Sequence, residues 1–322
     1  MIIGNSIIEY LEEETKKNDP AESSHWKKFN YDFKFDGKNF TGLKGFGELG
    51  IRFFGISNLI HNVFQKPWKK IGKEYSLFSD YDKIAKNISN KQNRTYDKDF
   101  IRHTLTLSLL KEKFPNYLSH YSTISIIGDG FATMTSLLLA TYSTKQIILV
   151  NLSKPLTVDL FYLRLWLGED EFNSSVCLIN NKKDLDLLNS KNYNKDYKVV
   201  AIQAKDRDLL SFFKINLAIN MLSMQEMDKD MIKSYFNILR KIANDNKLLF
   251  YCANRETKEL PDGTNIKFSE YPWAKKDEVI FDELCPVWHQ QTYSYNPPFY
   301  RNYDGSFRHR LCFLSKYDNK YY

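Results

Sequence analysis

The sequence predicts an α/β protein built on a doubly wound, mostly parallel sheet, with a mainly helical amino-terminal region. Three observations carry that expectation. Residues 121–152, YSTISIIGDGFATMTSLLLATYSTKQIILVNL, read as strand, glycine turn, helix and second strand in one run. From Tyr121 onward strand-like and helix-like segments alternate, which favours parallel strands covered by helices on both faces. Residues 1–118 lack that alternation and combine polar helical stretches with an aromatic, glycine-rich segment. We therefore expect a cap or contact region over 1–118 and a sheet domain over 119–322.

The elements follow in order. A short helix over 7–17 ends at Asn18-Asp19-Pro20, and after WKKFNYDFKFDGKNFTGLKGFGELGIRFF the polar helical stretches run up to LTLSLLKEKF at 105–114. Residues 122–127 are apolar without polar alternation, as in a strand buried on both sides. Gly128-Asp129-Gly130 lets the backbone turn tightly and approach a ligand, and a helix over 131–142 opens behind it, where an anionic group is favoured. The next strand, 147–150, ends on Asn151, whose side chain can hydrogen-bond ribose hydroxyls at the carboxyl edge of the sheet. A helix over 155–167 starts on Pro155. Strands at 175–179 and 198–203 come next, one of them an addition to the basic pattern. A strand over 217–220, a helix over 229–244 with its apolar face at Met231, Tyr235, Ile238, Leu239 and Ile242, and a strand over 247–253 complete the alternation. Residues 278–315 hold two extended runs around a tyrosine- and proline-rich loop, which predicts a hairpin-like closing pair.

The chain has 322 residues and a formal charge of +7, but its lysines are scattered, with no block of like charge, so the surplus reads as solvated surface rather than a nucleic-acid footprint. Attraction to an anionic substrate is compatible with it. Cys177, Cys252, Cys285 and Cys312 form no CxxC pair and read as small apolar residues in or beside strands. The amino terminus turns acidic too early for a secretory signal, and no apolar run approaches the ~18 residues that span a bilayer. We expect a cytoplasmic protein without stable membrane insertion; a homo-oligomer is compatible with the sequence.

The glycine turn, the polar residue ending the second strand and the final pair together resemble class I S-adenosylmethionine-dependent methyltransferases, with their Rossmann-like sheet. INLAINMLSMQEMDKDMIKSYFNIL, LLFYCANR, KFSEYPWAKKDEVIFDELCP and YDGSFRHRLCFLSK narrow the likeness, over roughly 119–316, to a family of sugar O-methyltransferases found near bacterial surface-polysaccharide genes. Asn220 to Met227 and Tyr271 to Trp273 carry its motifs. Three positions depart from the superfamily pattern: Ile126 replaces an acid in the first strand, Ala132 a third glycine, and Asn151 the aspartate or glutamate that commonly holds the ribose.

The resemblance implies S-adenosyl-L-methionine as methyl donor and a sugar or glycan, free or nucleotide-linked, as acceptor. Backbone contacts fall to Gly128, Asp129 and Gly130, the ribose to Asn151, the adenine side to Gln203, and the floor near the methionine moiety to Asn220. A sugar hydroxyl needs a general base or a metal. Glu226 is the first candidate base, its alternative role being a first-turn acid stabilised by a helix dipole. His309, beside the closing strand, is the second, or else a core-edge histidine. Gln225, Asn254, Tyr271, Trp273 and His289 are expected on the substrate side, with the aromatic pair either a carbohydrate wall or core. No metal is expected, although Glu226, Asp282 and Asp304 could converge on magnesium.

Three other readings compete. A nicotinamide-dependent sugar oxidoreductase would need Tyr-x-x-x-Lys on a helix, and the match at Tyr271 to Lys275 has Pro272 inside it. A non-catalytic relative is motivated by Ile126, Ala132 and Asn151. A nucleic-acid base methylase is disfavoured because Asn296-Pro297-Pro298-Phe299 falls far downstream of the fourth strand.

Overall fold

The structure, a computed structural model, describes residues 1–45, 55–190, 196–245, 247–288, 292–293, 297–301 and 305–316. Its central sheet contains β1 (Ile2–Ile3), β2 (Thr123–Ile127), β3 (Gln146–Asn151), β4 (Val176–Ile179), β5 (Val199–Gln203), β6 (Leu217–Met221), β7 (Leu249–Arg255), β8 (Glu278–Leu284) and β9 (Phe307–Phe313). They lie in the order β1-β4-β5-β3-β2-β6-β7-β9-β8. The six strands from β4 to β7 in that row are parallel, while β1 at one edge and the β9-β8 pair at the other run antiparallel. This is the mixed α/β, mostly parallel Rossmann-like sheet expected from the sequence, including its closing pair. β5 sits directly beside β3 and β4 lies outside it, so β4 is the strand that widens the sheet.

Alternate residues of each buried strand enter different cores, as the two-residue period dictates. Ile124, Ile147, Leu149, Leu217 and Tyr251 join one cluster; Ile127, Ile148, Val150, Ala218 and Phe250 join the other. The first cluster is covered by α1 (Asn5–Thr15), α5 (Phe78–Lys91), α6 (Lys98–Lys113), α7 (Thr133–Ala140) and α8 (Ser153–Leu167); between α1 and α5 come α2 (Ser24–Phe29), α3 (Gly55–Phe64) and α4 (Lys66–Gly72). The second is covered chiefly by α11 (Lys229–Asp245), which follows α9 (Glu169–Ser175) and α10 (Lys182–Leu188). Helical residues of 1–118, such as Ile7, Leu11, Phe100 and Leu105, share the first cluster with the sheet. All four cysteines are free and buried, in or beside β4, β7, β8 and β9.

Two elements differ from expectation for identifiable reasons. α6 reads as polar, yet Phe100 through Leu110 are all buried, because Thr104 and Ser108 turn their hydroxyls back onto the carbonyls of Phe100 and Thr104 at 2.7 and 2.8 Å. α7 starts at Thr133 rather than at 131, because Phe131 and Ala132 hold positive φ of 61° and 49°.

Candidate functional site

The chain leaves β2 toward β3 on one side and returns to β6 on the other, so a crevice opens at the carboxyl ends of β2 and β6, where α/β sheets bind ligands. A cavity of ≈ 390 Å³ lies there. Its walls include Gly128 to Phe131 after β2, Asn151 and Leu152 after β3, Ala204 after β5, Met221 to Ser223, Gln225 and Glu226 after β6, and Arg255 and Lys258 after β7. Helix α2 and its lead-in supply Ala21, Ser23, His25, Trp26 and Phe29, and the α6 region supplies Arg94, Lys98, Asp99 and His103.

The glycine loop is a run of left-handed backbone. Gly128 and Gly130 both have φ 72°, and Phe131 and Ala132 continue the hand, a conformation costing a residue with a side chain roughly 1–3 kcal/mol. Neighbouring groups hold it. The Ala132 amide donates to Asp159 (3.0 Å), and the Arg94 guanidinium lies over the Phe131 ring, its carbon 3.9 Å from the centroid. Gln92 donates to the Phe131 carbonyl at 3.4 Å. Asp129 accepts from the amides of Met134 (2.9 Å) and Thr135 (2.7 Å), so the positive end of α7 is occupied by this carboxylate rather than open to an anionic ligand, correcting the sequence expectation. At Gly128 a Cβ would meet Ser223, not open cleft, at 2.4 Å.

Asn151 stands half-buried on the cavity wall, its amide nitrogen donating to Asp159 (2.8 Å) and its oxygen accepting from the Leu152 amide (3.0 Å). Asp159 is fully buried, and burial, reinforced by the nearby Asp129, raises its pKa well above the usual carboxylate range. Its role escaped the sequence reading; the signal was an acid two helical turns beyond Asn151. Trp26, Leu152 and Ala204 form a small apolar cluster here, separate from both cores. α2 is drawn over this edge because Asp19 accepts from both the amide (3.0 Å) and the hydroxyl (2.9 Å) of Ser153 at the start of α8.

Three expected ligand contacts prove to be internal fasteners. Gln203 is wholly buried, accepting from Ser153 (2.8 Å) and donating to Tyr10 (3.3 Å) and Asn180 (3.2 Å), and Ala204, not Gln203, reaches the cavity. Asn220 lies beneath the floor, donating to the Ile127 carbonyl (2.9 Å) and accepting from Asn254 (2.8 Å). Asn254, also fully buried, accepts from the Gln225 amide at 3.1 Å, while Met221, Leu222 and Ser223 line the cavity floor. Gln225 does line the cavity, with its side-chain oxygen tied to the Arg255 amide at 2.8 Å. These bonds order the turn Met224–Glu226.

Glu226 projects from that turn into the cavity. Burial pushes its carboxyl up to about 7, against the opposing pull of Lys258 and Arg255. Its Oε2 lies 3.5 Å from Nε2 of His25 on α2, and burial drives that imidazole down to about 4. The Ser23 hydroxyl donates to the Glu226 carbonyl, tying α2 to the same turn. At neutral pH the pair is therefore an uncharged imidazole facing a carboxyl near its midpoint. The sequence reading missed His25 because nothing in a segment 200 residues away marks it as a neighbour.

Other expected site residues lie elsewhere. His309 is buried on β9 against Phe281, with Nδ1 3.3 Å from the Tyr251 hydroxyl, away from the cavity walls. Tyr271 and Trp273 pack with Phe236, Phe250 and Phe268 in the second core, so they are core aromatics and not a carbohydrate wall. Their segment is fixed by Arg240, which donates to the Pro272 carbonyl (2.8 Å) and pairs bidentately with Asp277 (2.7 and 2.9 Å). Tyr271 to Lys275 is not helical. Asp282 is held by Arg308 and Arg310 on the edge strand, apart from Glu226, and among the described residues no three metal-type side chains cluster. His289 and Asp304 lie outside the described residues. Among the described residues no helix is long and apolar enough to cross a membrane.

Fold and cleft together define a Rossmann-like α/β protein with a cavity at the switch point of its sheet. No family model matches the chain, and no curated protein matches it. Among solved structures it is similar to TrmK of M. capricolum in complex with S-adenosyl-homocysteine, at 10% identity over 66% of this chain and 70% of that one, TM-score 0.33. It is similar to the methyltransferase domain of bacterial CtHen1-CN, at 13% identity over 66% and 97%, TM-score 0.34. A mutant of MtNAS aligns over 96% of both chains, at 11% identity and TM-score 0.38. These likenesses are of fold.

Proposed function

We propose that the protein is an S-adenosylmethionine-dependent O-methyltransferase acting on a sugar hydroxyl of a surface polysaccharide or of its nucleotide-linked precursor. The observation that supports it best is Glu226, a cavity-lining carboxyl at the sheet's switch point with its pKa pushed up to about 7. A general base works best with a pKa near the operating pH, and an ordinary carboxylate would be too weak a base for a hydroxyl proton. The sugar class rests on the sequence resemblance at Asn220 to Met227 and Tyr271 to Trp273.

The residues present fit an adenosyl ligand. Trp26, Leu152 and Ala204 offer an apolar wall for a planar ring, Asn151 keeps a free lone pair for a ribose hydroxyl, and the cavity volume falls within the roughly 300–1,000 Å³ of small-molecule sites. When bound, S-adenosylmethionine supplies an electrophilic methyl group on a sulfonium. Glu226 accepts the proton of the acceptor hydroxyl as the oxygen becomes an ether. The rigid turn around Gln225 and Asn254 holds the carboxyl in place while α2 excludes water. We extend the proposal to residues 1–118 as a cap on a cytoplasmic enzyme that takes no nucleic acid.

Calorimetric titration with S-adenosylmethionine and S-adenosylhomocysteine, with NAD and NADP as controls, tests the reading. Micromolar binding of the first two alone is expected. Nicotinamide binding, or no binding of the first two at millimolar ligand, overturns it.

A further inference from the structure

The Glu226 end of the cavity is rich in positive charge, and the acid beside it is Glu226 itself, near its midpoint at neutral pH. Lys258 and Arg255 form its wall, and Lys28 stands close by on α2. The charged groups that push His25 down are Lys258, Lys28 and Arg255, and those that draw on Glu226 are again Lys258 and Arg255. The cavity's other acids are committed elsewhere: Asp129 caps α7, and Asp99 lies 3.5 Å from Arg102. Lys258 reaches the cavity from the short strand Thr257–Glu259, which pairs with Asn265–Lys267, and its side chain makes no hydrogen bond or ion pair among the described residues. His25 supplies an independent sign. It is 5% exposed, and its Nε2 has no hydrogen-bond partner among the described residues, a costly state for a buried polar atom unless a ligand meets it.

We infer that this end of the cleft binds an acidic group of the acceptor, a phosphate or a carboxylate carried by the sugar, with Lys258 as its principal partner and His25 hydrogen-bonded beside it. As a statement about the acceptor it rests on the proposed function; the anion site itself does not. It narrows the acceptor class: a neutral sugar leaves Lys258 and His25 unanswered, whereas a sugar acid or a diphosphate-linked sugar answers both while presenting a hydroxyl to Glu226. Low-dielectric walls strengthen such an attraction.

The test is calorimetric titration with inorganic pyrophosphate and, separately, with D-glucuronate, against D-glucose, at ionic strength held constant with sodium chloride. Wild-type protein and Lys258→Gln are compared with and without S-adenosylhomocysteine. Binding of either anion at millimolar concentration or tighter, at least tenfold stronger than glucose and weakened at least tenfold in Lys258→Gln, is the expected result. Pyrophosphate as the tighter ligand identifies the diphosphate source, and glucuronate the carboxylate source. No anion binding, or binding that Lys258→Gln leaves unchanged, overturns the inference. Lys28→Gln serves as a second variant should Lys258→Gln fail to fold. Because the titrations also run without S-adenosylhomocysteine, loss of the methyltransferase reading and loss of the anion site are separate outcomes.

Discussion

At the glycine-loop end of the cleft the polar side chains answer one another: Asp129 caps α7, Asp159 bridges Ala132 and Asn151, and Asn220 ties β6 to β2 and to Asn254. At the Glu226 end they do not. Among the described residues His25 Nε2 has no hydrogen-bond partner and the Lys258 side chain makes no ion pair, while Glu226 has a strongly raised proton affinity. Satisfied networks set shape and rigidity, whereas unsatisfied buried groups mark where a ligand completes the structure. One end of the cavity is a mould and the other a set of waiting contacts.

Substitutions at the two ends should therefore fail differently. The largest effect is expected for Gly128→Val, which places a branched side chain in a left-handed position and against Ser223. Strain and overpacking together should cost about 2–6 kcal/mol, read by denaturant unfolding, so loss of fold precedes any specific loss of ligand. A stable Gly128→Val protein that had only lost ligand affinity would contradict this view of the loop.

At the other end, Glu226→Gln should retain affinity for S-adenosylhomocysteine while turnover falls roughly 10²-fold or more. Wild-type turnover should rise with pH through an acid limb near 7. Stability should move the opposite way. Glu226 in the folded protein titrates at about 7 rather than 4.5, so the native state holds a proton that the unfolded chain has released between those values. Its contribution is complete below about 4.5 and lost as pH rises through 7, on the order of 3 kcal/mol. Glu226→Gln should flatten that slope in unfolding free energy measured from pH 5 to 8. His25 contributes with the opposite sign, its share being lost as pH falls from 6.5 through about 4.

Asp159→Ala removes the acceptor of two buried donors and should cost about 1–3 kcal/mol in thermal or chemical unfolding, together with weaker S-adenosylhomocysteine binding as the loop relaxes. The smallest effect is expected for Tyr271→Phe. The buried Tyr271 hydroxyl has no hydrogen-bond partner among the described residues, so its removal should shift stability by less than about 1 kcal/mol and leave acceptor KM unchanged. A large rise in KM would return Tyr271 to the substrate site.

Much of the scaffold was legible because local chemistry wrote it. The run of Ile and Val in β2 and β3, the Gly128-Asp129-Gly130 turn and the alternation after Tyr121 each depend on near neighbours in sequence. Glu226 was also legible, through its place after β6. His25, Asp19 and Lys258 were not, because their meaning comes from partners 134 to 233 residues away, brought close only by the folded sheet. The misplacements share a cause as well. Gln203, Asn220 and Asn254 do occupy strand ends, but a polar residue there can serve a ligand or a neighbouring strand, and only the folded sheet shows which. Aromatic content likewise could not separate Trp26 on the cavity wall from Trp273 in the core.

Helix α2 spans six residues and holds two posts at once, with Trp26 over the apolar edge beside Leu152 and Ala204 and His25 against Glu226. Exchange of a spent cofactor for a fresh one past that wall would carry both away together. Lifting it would wet Glu226, whose grip on a proton would relax toward that of an ordinary carboxylate, discharging the proton taken from the previous acceptor. A single short hinge movement would thus empty the pocket and recharge the base in one stroke, and the tempo of that movement would set the ceiling on turnover.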